Sequence, residues 1–340
     1  MTRGDPASLY IEDGTRKARV RMKALVTGGA GFIGSHLVEA LLERGDSVSV
    51  IDDLSTGRFE NIAHLENHPK FDYVIDTILD EQVVRDTMRD CDVVFHLAAA
   101  VGVAYIIDNP LKSLETNIRG TEIVLQRAND GKKMVIVFST SEIYGKANHQ
   151  PCKEDDDRVL GTTTITRWGY SSSKAIDEFL ALAYHREKKL PIRIVRCFNT
   201  CGPRQTGQYG MVIPRFVKQA LLDHPITVYG DGEQTRCFCD VSDVIRGVLA
   251  LVDEPSANGE VFNIGSDEET TIGNLALMVK ELTSSSSVVE TIPYERAYEQ
   301  GFEDMRRRVP DLTKIREAIG YEPKVSLKEL LERVVADFER

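Results

Sequence analysis

The stretch Thr27-Gly28-Gly29-Ala30-Gly31-Phe32-Ile33-Gly34 stands between a short apolar run, Ala24-Leu25-Val26-Thr27, and a helical pattern from Ile33 to Arg44 that Gly45 stops. Glycines at this spacing have separate uses. Gly28 permits a tight turn, Gly31 lets backbone approach a pyrophosphate, and Gly34 allows close helix–strand packing. Phe32 and Ile33 carry the turn into the helix, whose N-terminus favours negative charge. With a strand before it and a helix after it, the pattern predicts the first unit of a dinucleotide-binding sheet.

Apolar runs recur at Val48–Ile51, Phe71–Ile75, Val93–Leu97, Met134–Phe138 and Ile192–Arg196. Their weak period-2 alternation suits parallel strands covered on both faces. Strands separated by helices imply an α/β fold, a Rossmann-like doubly wound parallel sheet. The last third is richer in charge. It carries short strands at 226–229 and 261–264, helices over 272–283 and 327–338, and a polar loop at 284–287. It reads as a smaller C-terminal α/β substrate lobe. The expected division is a disordered extension (1–21), a mainly NAD-binding part (22–200) and a mainly substrate-binding part (201–340), with some chain returning to the sheet.

Asp52 closes the second strand, about 18 residues beyond Gly34, where a carboxylate binds adenosine ribose hydroxyls and repels a 2′-phosphate. The cofactor is therefore expected to be NAD rather than NADP. Asp53 beside it suits a turn or cap, and Asp76, after the third strand, suits either an adenine contact or a solvated turn. Leu97, Ala98, Ala99 and Ala100 place small residues where the cofactor would pass. His96 reads as a packed histidine rather than a catalytic one.

Composition narrows the class. The 340 residues are 42% hydrophobic with a formal net charge of -11, which argues against a nucleic-acid or membrane-surface binder. The pairs Cys197/Cys201 and Cys237/Cys239 lack metal-site or redox spacing, so the six cysteines read as reduced thiols of a cytoplasmic protein and no metal is expected. No apolar run is long enough for a membrane span. Nor does the charged N-terminus resemble a signal peptide.

Two stretches carry chemistry. The fifth strand ends in Ser139-Thr140-Ser141-Glu142-Ile143-Tyr144-Gly145, and Tyr170-Ser171-Ser172-Ser173-Lys174 follows. Tyr170 and Lys174, four apart, share one helix face. A nearby ammonium favours the phenolate, so Tyr170 can act as a base near neutral pH. Lys174 can also bond the nicotinamide ribose, and Thr140 can hold the hydroxyl that Tyr170 deprotonates.

These motifs resemble the extended short-chain dehydrogenases/reductases that act on nucleotide sugars: epimerases, 4,6-dehydratases and UDP-glucuronate decarboxylases. The resemblance runs from Lys23 to the C-terminus. It includes the glycine turn, Ile51-Asp52-Asp53-Leu54-Ser55-Thr56-Gly57, His96-Leu97-Ala98-Ala99 and the Tyr170/Lys174 pair. Further on it takes in Phe198-Asn199-Thr200-Cys201-Gly202-Pro203-Arg204, the run from Val228 to Arg236, and Phe262-Asn263-Ile264-Gly265. It implies that Asn199 and Arg236 line a nucleotide-diphosphate-sugar site, with Arg236 on the diphosphate and Arg308 as a second phosphate contact or a surface arginine. UDP as the nucleotide is implied by the resemblance alone. So is a homodimer formed through two helices per subunit, for which 116–129 and 172–187 are candidates.

The shared first half-reaction makes a 4-ketone: Tyr170 takes the proton of the sugar 4-hydroxyl while the C4 hydride goes to NAD. Hydride return to the other face gives a C4 epimer. A base at C5 allows the 6-hydroxyl to leave as water. A C6 carboxylate, β to the ketone, leaves as carbon dioxide. Related epimerases usually carry a small residue at position 142. The triplet Thr140-Ser141-Glu142 resembles the decarboxylases, with Ser141 where many 4,6-dehydratases have Asp, although GDP-mannose dehydratases share it. Arg167-Trp168 resembles the bacterial decarboxylase of lipid A modification and plant apiose/xylose synthases, or is simple packing. Decarboxylation is thus the preferred reading, with epimerisation and dehydration as alternatives. A non-catalytic NAD-binding regulator would be expected to lose Tyr170 or Lys174, and both are present. Gly301-Phe302-Glu303-Asp304-Met305 fits none of these patterns.

Overall fold

A computed structural model describes residues 21–146, 149–207, 211–297 and 305–340. The expected extension 1–21, apart from Arg21, and the unusual segment 301–305, apart from Met305, lie outside the described residues.

The apolar runs form the strands expected of them. β1 (Lys23–Thr27), β2 (Ser47–Asp52), β3 (Phe71–Ile75), β4 (Val93–His96), β5 (Met134–Thr140) and β6 (Ile192–Cys197) lie in one parallel sheet. Between them come α1 (Phe32–Glu43), α2 (Glu81–Met88), α3 (Val103–Asp108), α4 (Pro110–Gly131) and α5 (Arg167–Lys188). After β6 follow β7 (Thr200–Cys201), α6 (Val212–Leu221), β8 (Ile226–Tyr229), β9 (Thr235–Cys237), β10 (Cys239–Asp240) and α7 (Val241–Asp253). The chain then forms β11 (Glu260–Ile264), β12 (Glu269–Thr271), α8 (Ile272–Leu282), β13 (Val289–Ile292) and α9 (Tyr294–Ala297). It ends with β14 (Arg307–Arg308), α10 (Thr313–Ile319) and α11 (Leu327–Phe338).

The main sheet has the order β11-β6-β5-β4-β1-β2-β3. Strand order reverses at β1, which pairs with β2 on one side and β4 on the other. In such a sheet ligands bind outside the carboxyl ends of the strands at the reversal. Helices cover both faces. Leu37, Leu41, Val244 and Val248 from α1 and α7 pack on one, and Ile123, Val124 and Ala181 from α4 and α5 on the other. The run 261–264 is part of the chain's return: as β11 it pairs with β6 at the sheet edge. A further apolar cluster joins α6, α8 and α11 with β8, through Phe216, Leu275, Leu331 and Val228. Here β8 pairs with β13, and β9 lies between β12 and β14.

One buried polar network fixes the end of β5. Arg196 on β6 donates through Nε and Nη2 to both carboxylate oxygens of Glu178 on α5, with Nη2 to Oε2 at 2.8 Å. Its Nη1 donates to the Tyr144 hydroxyl and the Glu154 carbonyl, each at 2.8 Å, and Tyr144 donates to Asn263 on β11. Ser139 donates to Glu178. Removing one partner of a buried pair strands the other charge and typically costs about 3–5 kcal/mol. Glu178→Leu is therefore expected to lower unfolding stability by about that amount, read from the midpoint shift in urea denaturation.

Candidate active site

The glycine turn is shaped by exclusion of side chains. Gly28 adopts a left-handed φ of 76°, and a Cβ there would stand 2.8 Å from the Ala98 backbone nitrogen. A Cβ on Gly34 would stand 2.0 Å from the Gly28 carbonyl oxygen. Gly31 caps α1 without any side-chain hydrogen bond, and the first turn holds no acidic residue. By contrast Asp80 closes α2, Asp240 closes α7, and Ser326 with Glu329 forms a capping box on α11. The N-terminus of α1 is thus left to an anion from outside the helix.

Asp52 ends β2 beside this turn. Its Oδ2 accepts the Ala30 N–H and its Oδ1 the Leu54 N–H, each at 2.9 Å. Burial pushes the Asp52 carboxyl up, against the pull of those two backbone donors. A Cβ on Gly57 would come within 2.8 Å of Asp52 Oδ1, so a glycine is needed for the chain to pass the carboxylate. Asp53 accepts the Ser55 N–H and Asp76 the Thr77 N–H, both as turn contacts. All three acids line one cavity with Gly28, Gly31, Phe32, Ile33, Gly34, Leu97, Ala98 and Ala99. An open helix end, a fixed carboxylate and a wall of small residues fit a dinucleotide without a 2′-phosphate.

The same cavity continues to Thr140, Ser141, Glu142, Tyr170 and Lys174. Thr140 terminates β5 and accepts the Glu142 N–H at 3.2 Å, which starts a single turn over Ser141–Tyr144. The Thr140 hydroxyl also bonds Tyr170. The protein alone does not lower the ionisation of Tyr170, contrary to expectation. Burial pushes its hydroxyl up, and the carboxylates of Glu142 and Asp177 push the same way. One turn along α5 the Lys174 ammonium donates to Asp177 at 2.7 Å. His96 is a packed histidine between Thr27 and Thr121, and burial lowers it to about 3, so it is neutral. Trp168 is buried, with Lys146 Nζ 5.7 Å from its ring centre. The side chain of Arg167 lies outside the described residues.

On the opposite wall, Arg236 and Arg308 are register partners on β9 and β14. Arg236 is buried and donates to the Thr235 carbonyl at 2.7 Å. Arg308 forms an ion pair with Glu142 through Nη1 and donates to Asn199 Oδ1 through Nη2. Asn199 Nδ2 in turn donates to the Cys237 carbonyl at 2.7 Å. Arg308 thus stands at the Glu142 end of the cavity rather than on the protein surface.

Sequence reading passed over three contributors. Gly57 was quoted in a motif without a role. Asn117 accepts the Ala100 N–H at 2.8 Å and donates to Ser173 at 3.0 Å, tying the cofactor wall to α5. Asp177 carried no signal beyond its spacing from Lys174.

Residues 25–334 match the family described as GDP-mannose 4,6 dehydratase. The UDP-N-acetyl-α-D-glucosaminuronate decarboxylase of Bacillus cytotoxicus is 43% identical over 320 residues, covering 94% of this chain and 98% of its own. UDP-glucuronic acid decarboxylase 1 of Arabidopsis thaliana is 39% identical, covering 94% of this chain and 70% of its own. Among solved structures, the UDP-glucuronic acid 4-epimerase of Bacillus cereus, in complex with UDP-glucuronic acid and NAD, superposes with a TM-score of 0.85. It is 32% identical, and the match covers 94% of this chain and 99% of that one. The chain therefore belongs to the extended short-chain dehydrogenase/reductase family of nucleotide-sugar epimerases, dehydratases and decarboxylases. It is an NAD-dependent enzyme that modifies a nucleotide-diphosphate sugar.

The glycine geometry has a direct consequence. Gly34→Ala drives a methyl group into the Gly28 carbonyl, so calorimetric NAD affinity is expected to fall by about five- to a hundredfold, as overpacking of this size costs about 1–3 kcal/mol.

Proposed function

We propose that this enzyme decarboxylates a UDP-hexuronate, UDP-glucuronate or its 2-acetamido counterpart. The observation that carries this reading is the Glu142–Arg308 pair across the cavity from Tyr170, with Arg308 also held by Asn199. A uronate brings a second carboxylate next to the reacting C4. An arginine at that end of the cavity can neutralise it, and a planar guanidinium binds carboxylates in two-point fashion. A plain C4 epimerase has no need of the Glu142 carboxylate beside Thr140. The decarboxylases of Bacillus cytotoxicus and Arabidopsis thaliana, at 43% and 39% identity, support the same reading.

In this reading Gly28, Gly31, Phe32, Ile33 and Gly34 cradle the pyrophosphate of NAD. Asp52 holds the adenosine ribose, Asp53 and Asp76 border the adenine side, and Leu97, Ala98 and Ala99 form the wall. Bound NAD supplies a hydride acceptor at C4 and, while oxidised, a positive ring charge. Thr140 orients the sugar 4-hydroxyl, and Tyr170 removes its proton with Lys174 as the cation that stabilises the phenolate. The resulting ketone lies β to the C6 carboxylate. The C5–C6 bond breaks, C6 leaves as carbon dioxide, and its electron pair moves into an enolate spanning C4 and C5. Glu142 takes a proton from water and delivers it to C5, while Arg308 stays charged beside it. Ser141, buried in the turn between Thr140 and Glu142, lines the same cavity. Tyr170 then gives its proton back as the ketone is reduced. Arg236 holds the diphosphate.

Purified enzyme with NAD and UDP-glucuronate, or its 2-acetamido counterpart, is expected to release carbon dioxide and yield the corresponding pentose nucleotide by mass spectrometry. An isobaric product with inverted C4 coupling, or loss of water, would overturn the reading in favour of an epimerase or a dehydratase. Glu142→Gln is expected to lower kcat by about 10²–10⁴-fold, the usual contribution of a proton-transfer group, with less effect on KM.

We also propose a homodimer built on α4 and α5, in the reducing cytosol that six free thiols suit. These helices pack together and expose Leu111 (69%), Leu114, Ile176 and Phe179 (66%). A stripe of that size is unusual on a solitary surface. Phe179→Asp is expected to convert a dimer into a monomer in light scattering, with the melting curve still cooperative.

A further inference from the structure

Tyr170, Lys174 and Asp177 follow one another along one face of α5 at helical spacing. The Lys174 and Asp177 side chains are 3% and 0% exposed, so this ion pair is sealed from solvent. A buried ammonium without a counter-charge tends to lose its proton. An ammonium has three donors; one is spent on Asp177, which leaves two for the cavity.

Asp177 is itself held from behind. Burial pushes its carboxyl up, Glu178 beside it adds to this, and the Lys174 ammonium and the Thr121 hydroxyl from α4 pull it down. The other carboxylate oxygen, Asp177 Oδ1, is buried without a hydrogen-bond partner among the described residues, and the Thr121 hydroxyl and His96 Nε2 lie 2.9 Å apart. His96 Nδ1 is hydrogen-bonded to the Thr27 hydroxyl at 2.8 Å. Thr27 Oγ1 in turn accepts the Ala98 N–H at 3.2 Å.

We propose that Asp177 is a positioning residue for Lys174, fixing the direction of its ammonium and aiming it into the cavity through their buried ion pair. The proposal rests on the roles given above to Tyr170 and Lys174 but on no particular sugar. The groups that face Tyr170 are Thr140 at the end of β5, Glu142 just after it, Asp177 on its own helix, and Cys197 on β6. Those that bear on Lys174 are Asp177, His96 and Cys197. Asp177 has two opposed influences on Tyr170. Its negative charge disfavours the phenolate directly, while its hold on Lys174 favours the phenolate indirectly.

The test uses the full chain with NAD and no sugar. NAD affinity is read by calorimetry and Tyr170 ionisation by tyrosinate absorbance against pH, with Tyr170→Phe identifying the signal. Asp177→Asn is expected to weaken NAD binding by about tenfold, the weight of one charge-assisted hydrogen bond, and to move Tyr170 ionisation to higher pH. Thr121→Val, which leaves the ion pair in place, is expected to shift both in the same direction by less, and it carries the test if Asp177→Asn does not fold. Tyr170 ionisation moving to lower pH, or unchanged ionisation and affinity, would overturn the proposal. Lys174→Met separates the two levels. If it leaves NAD binding intact, the Tyr170/Lys174 assignment itself falls; if it weakens binding while Asp177→Asn does not, only the role of Asp177 falls.

Discussion

The contact between the Gly28 turn and the chain leaving β4 is the constraint on which the site depends. With the Gly28 Cα facing the Ala98 nitrogen, no side chain fits between them. Gly34 then lets α1 settle on the turn itself. Together they bring the end of β1 and the segment 97–100 into one wall, at the point where the strand order turns from β2 to β4. The open N-terminus of α1 and the Asp52 carboxylate follow from that geometry, because both depend on how closely the turn lies against the sheet.

Charge is handled by burial in pairs. Glu178 and Arg196 knit β5, β6, α5 and β11 behind the reacting groups. Lys174 and the Glu142–Arg308 pair line the cavity itself, with Asp177 behind Lys174. The first pair has its remaining polar atoms bonded within the fold, which suits a scaffold. The other two leave donors and acceptors turned toward the cavity, which suits groups that exchange partners when substrate and cofactor bind. The resting position of Tyr170 reflects this. Its hydroxyl is held neutral by burial and two neighbouring carboxylates, so the phenolate becomes accessible only when further positive charge enters the cavity.

Two kinds of information were present in the chain. Glycine spacing, apolar strand runs and the four-residue step from Tyr170 to Lys174 are local, set by backbone sterics and helical periodicity. The sequence by itself therefore determined the Rossmann order of βα units, the placing of Asp52 at the end of β2 and the helix carrying Tyr170 and Lys174. The partners of Lys174 and Glu142 were decided only by the tertiary structure. Asp177 meets Lys174 on its own helix, but whether that pair is sealed from solvent was set by the packing around α5. Arg308 reaches Glu142 across 166 positions because β14 pairs with β9 in register. Electrostatics inside a protein depend on which charges share a dry space, and that is fixed by packing rather than by spacing along the chain.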